Sequence, residues 1–97
     1  MNASLSDEAL EDARTAADWY IDGGAWAAAV AFGEELNQAI RRIRSTPGLG
    51  TPGPADTRVL PLHRFKFSLV YRVQGDTLRV VAVASHRRRP LYWVGRR

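Results

Sequence analysis

Cysteine is absent from this 97-residue chain, and lysine nearly so: Lys66 is the single lysine among fourteen basic residues. Without cysteine there is no disulfide framework and no thiolate metal site, a composition at home in a reducing compartment. The two histidines, His63 and His86, lie too far apart in the sequence to form a local zinc motif. No apolar run approaches the roughly 18 residues of a membrane span, and the amino terminus lacks the basic-then-apolar order of a secretory leader. These absences predict a cytoplasmic protein with no membrane association, no metal and no cofactor. The length allows one domain, residues 1–97, with a single modest core.

Charge is present but unevenly spread. Residues 1–35 carry eight acids and one base, Arg14, for a net −7, whereas residues 36–97 carry thirteen bases against Asp56 and Asp76, for a net +11. The overall +4 understates how basic one surface must be, and such a split favours an acidic partner. The basic density peaks at Ser85-His86-Arg87-Arg88-Arg89-Pro90-Leu91-Tyr92-Trp93. Three successive guanidinium groups have no stable place in a core, and with the neighbouring His, Tyr and Trp they make a surface suited to anion recognition.

Local patterning predicts two helices followed by a sheet. Ser6 is placed to cap a helix whose first turn holds Asp7 and Glu8, with Leu5 and Leu10 spaced as a hydrophobic staple. Leu10, Ala13, Ala17, Tyr20 and Ile21 keep helical spacing, and Gly23-Gly24 stops the helix. A second helix over about 25–44 carries Ala29, Phe32, Leu36, Ala39, Ile40 and Ile43 on one face, with Arg41, Arg42 and Arg44 in its last turns. The short joint makes the pair, about 6–44, an antiparallel helical hairpin. Residues 45–57, rich in Pro and Gly, read as a mobile loop. Strands are predicted near 58–62, 65–73 and 77–85, the last two joined by a turn at Gln74-Gly75-Asp76, and a basic tail closes the segment 58–97. Tyr20, Trp19 and Trp26 are expected in the core, because aromatics at helical spacing usually pack inward.

The ordered set Trp19-Tyr20, Phe32-Gly33-Glu34-Glu35-Leu36, Pro47-Gly48, Arg58-Val59-Leu60-Pro61-Leu62, Leu69-Val70-Tyr71-Arg72-Val73, Gly75-Asp76 and Ser85-His86-Arg87-Arg88-Arg89-Pro90-Leu91-Tyr92-Trp93 resembles the RelE/ParE superfamily of bacterial toxins. The resemblance covers nearly the whole chain. It implies an α+β fold in which the hairpin packs on an antiparallel sheet of three strands, or four if the residues before Leu5 pair into it. Members usually begin with such a strand, but Met1-Asn2-Ala3-Ser4 shows no alternation and reads as a poor one, which would leave a sheet edge uncovered and open to strand addition.

The resemblance further implies the toxin of a type II toxin–antitoxin, or plasmid stabilisation, module, a growth inhibitor held inactive by a cognate antitoxin. The superfamily divides by target. The RelE branch resembles a ribosome-dependent messenger RNA endonuclease (an mRNA interferase) that works without metal, whereas the ParE branch is associated with poisoning DNA gyrase. In the nuclease pattern an Arg stands three residues before the strand Tyr; here that position is Ser68, and a hydroxyl cannot replace a guanidinium that clamps phosphate. This favours the ParE branch. If the chain is a nuclease, Arg64, Lys66, His86, Arg87 and Tyr92 carry the chemistry, with Lys66 reaching the groove from the same strand face as Ser68. Otherwise Arg58, Arg64, Lys66, His86, Arg87, Arg88, Arg89, Tyr92 and Trp93 are the residues that bind target or antitoxin, Trp93 having the alternative role of a lid on the sheet. Strand alternation would let only one of Arg87 and Arg88 line the groove. Partners are the antitoxin and either gyrase or the ribosome with its messenger, with self-association or a toxin–antitoxin hetero-oligomer as further assemblies. A basic module without toxicity is the remaining alternative.

Overall fold

A computed structural model describes residues 1–97. Strand β1 spans Asn2–Leu5, helix α1 Asp7–Asp22 and helix α2 Trp26–Ser45, followed by a single 3-10 turn at Pro47–Leu49. Strands β2 (Thr51–Pro52), β3 (Arg58–Pro61), β4 (Phe67–Gln74) and β5 (Thr77–Ser85) complete the chain, ahead of a tail of turns. The five strands form one sheet in the order β1-β5-β4-β3-β2. Both helices lie within two residues of their expected ends, and the hydroxyl of Ser6 accepts from the Ala9 amide at 3.0 Å as the expected cap.

The sheet corrects two expectations. Residues 2–5 are a strand after all, parallel to β5 with Leu5 opposite Val80, so the sheet is mixed and has five strands instead of three or four antiparallel ones. Local alternation is not what forms β1. The free backbone edge of β5 supplies partners, and the inward side chains of Ala3 and Leu5 pack against the core. The 45–57 segment is likewise not a mobile loop. The Tyr71 hydroxyl donates to the Pro47 carbonyl at 2.7 Å and accepts from the Gly50 amide at 2.9 Å, pinning this segment to the sheet. A Cβ at Gly50 would come within 2.9 Å of that hydroxyl, so only glycine fits the approach.

Both faces of the sheet are covered. Leu69, Tyr71, Leu78, Val80 and Val83 pack with Ala9, Ala16, Phe32, Leu36 and Ile43 beneath the helices. Val70, Val81, Ala82 and Ala84 pack on the opposite face beneath Trp93. A bulge makes this possible: Val70 pairs with Ala82 and Tyr71 with Val80, leaving Val81 without an opposite residue, so Val81 and Ala82 face the same side. The Gly75-Asp76 turn joins β4 to β5 with Gly75 at φ 60°, the left-handed conformation a two-residue hairpin needs.

Helix α1 presents a different face from the one expected. Its inner stripe is alanine, with Ala9 and Ala16 buried and Ala13 packed against the core, which lets the helix approach the sheet closely. Leu10, the expected staple partner of Leu5, and Ile21 are exposed. Trp19 and Trp26 are 56% and 66% exposed, which overturns their assignment to the core. Tyr20 does turn inward, its ring 5.8 Å from Phe65 and 6.1 Å from Phe32.

Candidate functional site

A groove of about 690 Å³ runs between α1 and the ends of β4 and β5. Glu8, Glu11 and Asp12 form its acidic wall, and Trp19, Tyr20, Phe65 and Phe67 supply aromatic surface. Arg64, Lys66, Arg87, Arg88, Tyr92 and Arg96 face them. Both Arg87 and Arg88 line this groove, not one of the two, because β5 ends at Ser85 and the chain turns there, so strand alternation no longer governs their direction. The Arg87 guanidinium lies 4.7 Å from the centre of the Trp19 ring and meets no carboxylate. That stack at the mouth of the groove leaves a cation and an indole together on the surface.

Other expected residues lie elsewhere. His86 is not in the groove: its backbone amide donates to the Lys66 carbonyl at 2.9 Å, and its Nε2 lies 2.8 Å from the Ser68 hydroxyl. Ser68 is therefore a buried residue, bonded to His86. Lys66 does not share its face, since β4 begins at Phe67 and Lys66 turns to the groove instead. Arg58 braces the Pro/Gly segment, donating to the carbonyls of Gly48 and Gly50 at 3.3 and 2.7 Å. Arg89 lines, with Arg97, a second hollow that adjoins the groove through Glu8, Arg88, Tyr92 and Arg96, and Trp93 is 4% exposed beneath the sheet, the lid position.

The family model described as "ParE toxin of type II toxin-antitoxin system, parDE" matches residues 3–90. The chain belongs to the ParE toxin family. A solved structure described as the chromosomal ParDE TA system from P. aeruginosa is similar at 19% identity over 88% of this chain and 95% of that chain, with a TM-score of 0.76. At that identity the likeness is one of fold. No curated protein matches the chain. Membership of the ParE family implies an antitoxin partner, and no helix is long and apolar enough to cross a membrane.

In this ParE-family chain the electrostatic centre of the groove is Asp12, which the linear sequence does not distinguish from seven other acids in its first 35 residues. β1 covers β5 only as far as Val80, so the outer backbone edge beyond it lacks a strand partner. Asp12 accepts from the Val83 amide at 3.0 Å, and Arg96 donates to the Val81 carbonyl at 3.2 Å, closing that edge with side chains. The two side chains also meet each other at 2.7 Å, with Arg88 3.7 Å from Asp12 and Glu8 3.5 Å from Arg96. Burial works against the charge on Arg96, but the hydrogen bond and charge of Asp12 prevail and hold its pKa above the ordinary value. Burial and the Asp12 carboxylate likewise raise the Tyr92 phenol, which stays protonated.

Glu35 is a second anchor of the groove, one that nothing in its sequence context distinguishes from the neighbouring Glu34. Burial would raise its pKa, but the Arg64 amide at 3.0 Å and guanidinium at 3.2 Å donate to it and bring it below the ordinary carboxylate range. The contact holds the turn that carries Arg64 and Phe65 into the groove. Because the folded pKa is lowered, its contribution is complete above the unfolded value and fades as pH falls through the folded one. Glu35→Gln should therefore cost about 1 kcal/mol at neutral pH, because the carboxamide oxygen can still accept from the Arg64 amide but that bond loses its charged acceptor, while the exposed Arg64 guanidinium contributes little. The difference from wild type should shrink in acid, as measured by denaturant melts across pH. A difference that does not change with pH would remove Glu35 from this role.

Proposed function

We propose that this ParE-family chain is a toxin that acts by binding, with DNA gyrase as its target, and that its antitoxin neutralises it by laying an acidic amphipathic segment in the groove. One observation carries this reading. The groove gathers cations and aromatic rings, yet the candidate acid–base residue, His86, is turned away onto Ser68. Four of the five nuclease candidates, Arg64, Lys66, Arg87 and Tyr92, do converge. They can neutralise a phosphate, but Tyr92 keeps its proton, and no histidine stands among them to move one. The Arg expected to clamp the phosphate is Ser68, which is buried and bonded to His86. What remains is a surface for holding a partner: an exposed indole and guanidinium pair beside an apolar floor, the residue types that dominate binding hot spots.

Purified protein should inhibit supercoiling by gyrase and accumulate cleaved DNA while leaving messenger RNA on programmed ribosomes intact. Arg87→Ala should weaken inhibition about tenfold or more with little change in stability, since it removes an exposed hot-spot cation. Codon-spaced cleavage of messenger RNA would overturn the reading and return Arg64, Lys66 and Tyr92 to catalytic roles. Full activity of Arg87→Ala on gyrase would show that the groove mouth is not the working surface.

A further inference from the structure

The face of the sheet away from the helices carries a tract of arginine that the fold leaves unneutralised. β4 and β5 set Arg72 directly opposite Arg79 on the side where Val70 and Val81 lie. Like charges in opposing positions destabilise a sheet, and no acid relieves them: the chain's four ion pairs use Arg64, Arg88 and Arg96 only. Arg79 donates to the Ser4 hydroxyl at 3.2 Å, and Arg72 donates to the carbonyls of Ala55 and Arg96 at 2.8 and 2.7 Å. The last of these contacts ties the tail to the sheet next to Arg97, which shares a hollow of about 690 Å³ with Arg89; the one acid on that hollow, Glu8 of α1, is already paired with Arg96 at 3.5 Å. Trp93, buried beneath the same turns, packs on Val70, Val81, Ala82 and Ala84 and so anchors the tail to this face. Arg72, Arg79, Arg89 and Arg97 are thus linked through the tail into one tract, and none of them is ion-paired.

We propose that this face binds the phosphodiester backbone of duplex DNA, independently of which macromolecule the groove engages. Guanidinium forks match phosphate oxygens, and a line of them follows a regularly charged backbone better than the isolated carboxylates of a protein. The aromatic residues are unavailable for reading bases or anchoring a protein. Trp93 is buried, and Tyr92 carries the Arg88 guanidinium 3.6 Å from its ring centre. Binding is therefore electrostatic and indifferent to sequence. A toxin with this face would meet its target where that target holds DNA.

Fluorescence anisotropy of a short random-sequence duplex against the full chain tests this. Four phosphate contacts should give a log–log salt slope of about −3 to −4. Arg89→Ala with Arg97→Ala should weaken binding about tenfold or more at low salt and reduce the slope by about 2, and Arg79→Gln should reduce it by about 1. Arg41→Ala with Arg42→Ala, which removes equal charge from the exposed end of α2, should change neither by as much; thermal melts confirm that each variant is folded. No binding at low salt, or an equal loss in the α2 control, would overturn the proposal. So would an acidic peptide of matched charge that binds as tightly with the same arginine dependence, since it would assign the face to a protein.

Discussion

Asp12→Ala should unfold this protein more readily than any other single change of a charged residue, lowering stability by about 3 kcal/mol, the cost of leaving a buried ion without its partner. The side chains of Asp12 and Arg96 are 7% and 14% exposed, so little solvent screening applies to the pair. The substitution also leaves the Val83 amide without an acceptor at the uncovered edge of β5. For a domain of this length the melting temperature should fall by roughly 12–24 °C. Asp12→Asn should cost less, because a carboxamide oxygen still accepts from Val83 while the charge is lost. Adding Arg96→Met to Asp12→Ala should recover part of the loss, because no buried cation then remains unpaired. If Asp12→Ala melts within a few degrees of wild type, or if the double variant is worse than the two singles combined, the pair is not what closes this edge.

Trp93→Ala should cost about 3–5 kcal/mol, as expected for a large aromatic removed from a packed site. Trp93 is the only large side chain in the buried cluster formed with Val70, Val81, Ala82 and Ala84, and without it that apolar face opens to water. The tail turns from Pro90 to Gly95 should loosen as well, since Trp93 is their one fully seated residue. Thermal melts and near-ultraviolet circular dichroism read both effects. An unchanged melting temperature with loss of toxicity would instead make Trp93 a target contact, the alternative role considered for it.

Much of the groove was legible because its residues are concentrated in short segments. Arg64 and Lys66 sit just before a strand, and Arg87, Arg88 and Tyr92 just after one, and both segments end at the same side of the sheet because β4 and β5 are a hairpin. His86 lies outside the groove for a local reason: one residue past the strand, its direction is set by the hydrogen bonds of the turn and not by alternation. Trp19 lies outside the core because α1 packs through alanine, whose weak hydropathy signal is outweighed by bulky residues on the outer face, and Trp26 lies outside it because it opens α2, ahead of the stripe of Phe32, Leu36, Ala39 and Ile43 that meets the sheet. Asp12 and Arg96 gave no signal at all, being 84 residues apart.

The two helices, the hairpin turn at Gly75-Asp76, the charge division and the family resemblance are determined by the sequence alone. Caps, helical spacing, turn glycines and composition act over a few residues and need no distant partner. Only the tertiary structure decided that residues 2–5 form a strand, that the Pro/Gly segment is pinned by Tyr71, that both faces of β5 are buried and that Asp12 and Arg96 close its edge. Each of these satisfies a backbone group or an apolar face that another part of the fold leaves open, and such a vacancy exists only once that part of the fold has formed.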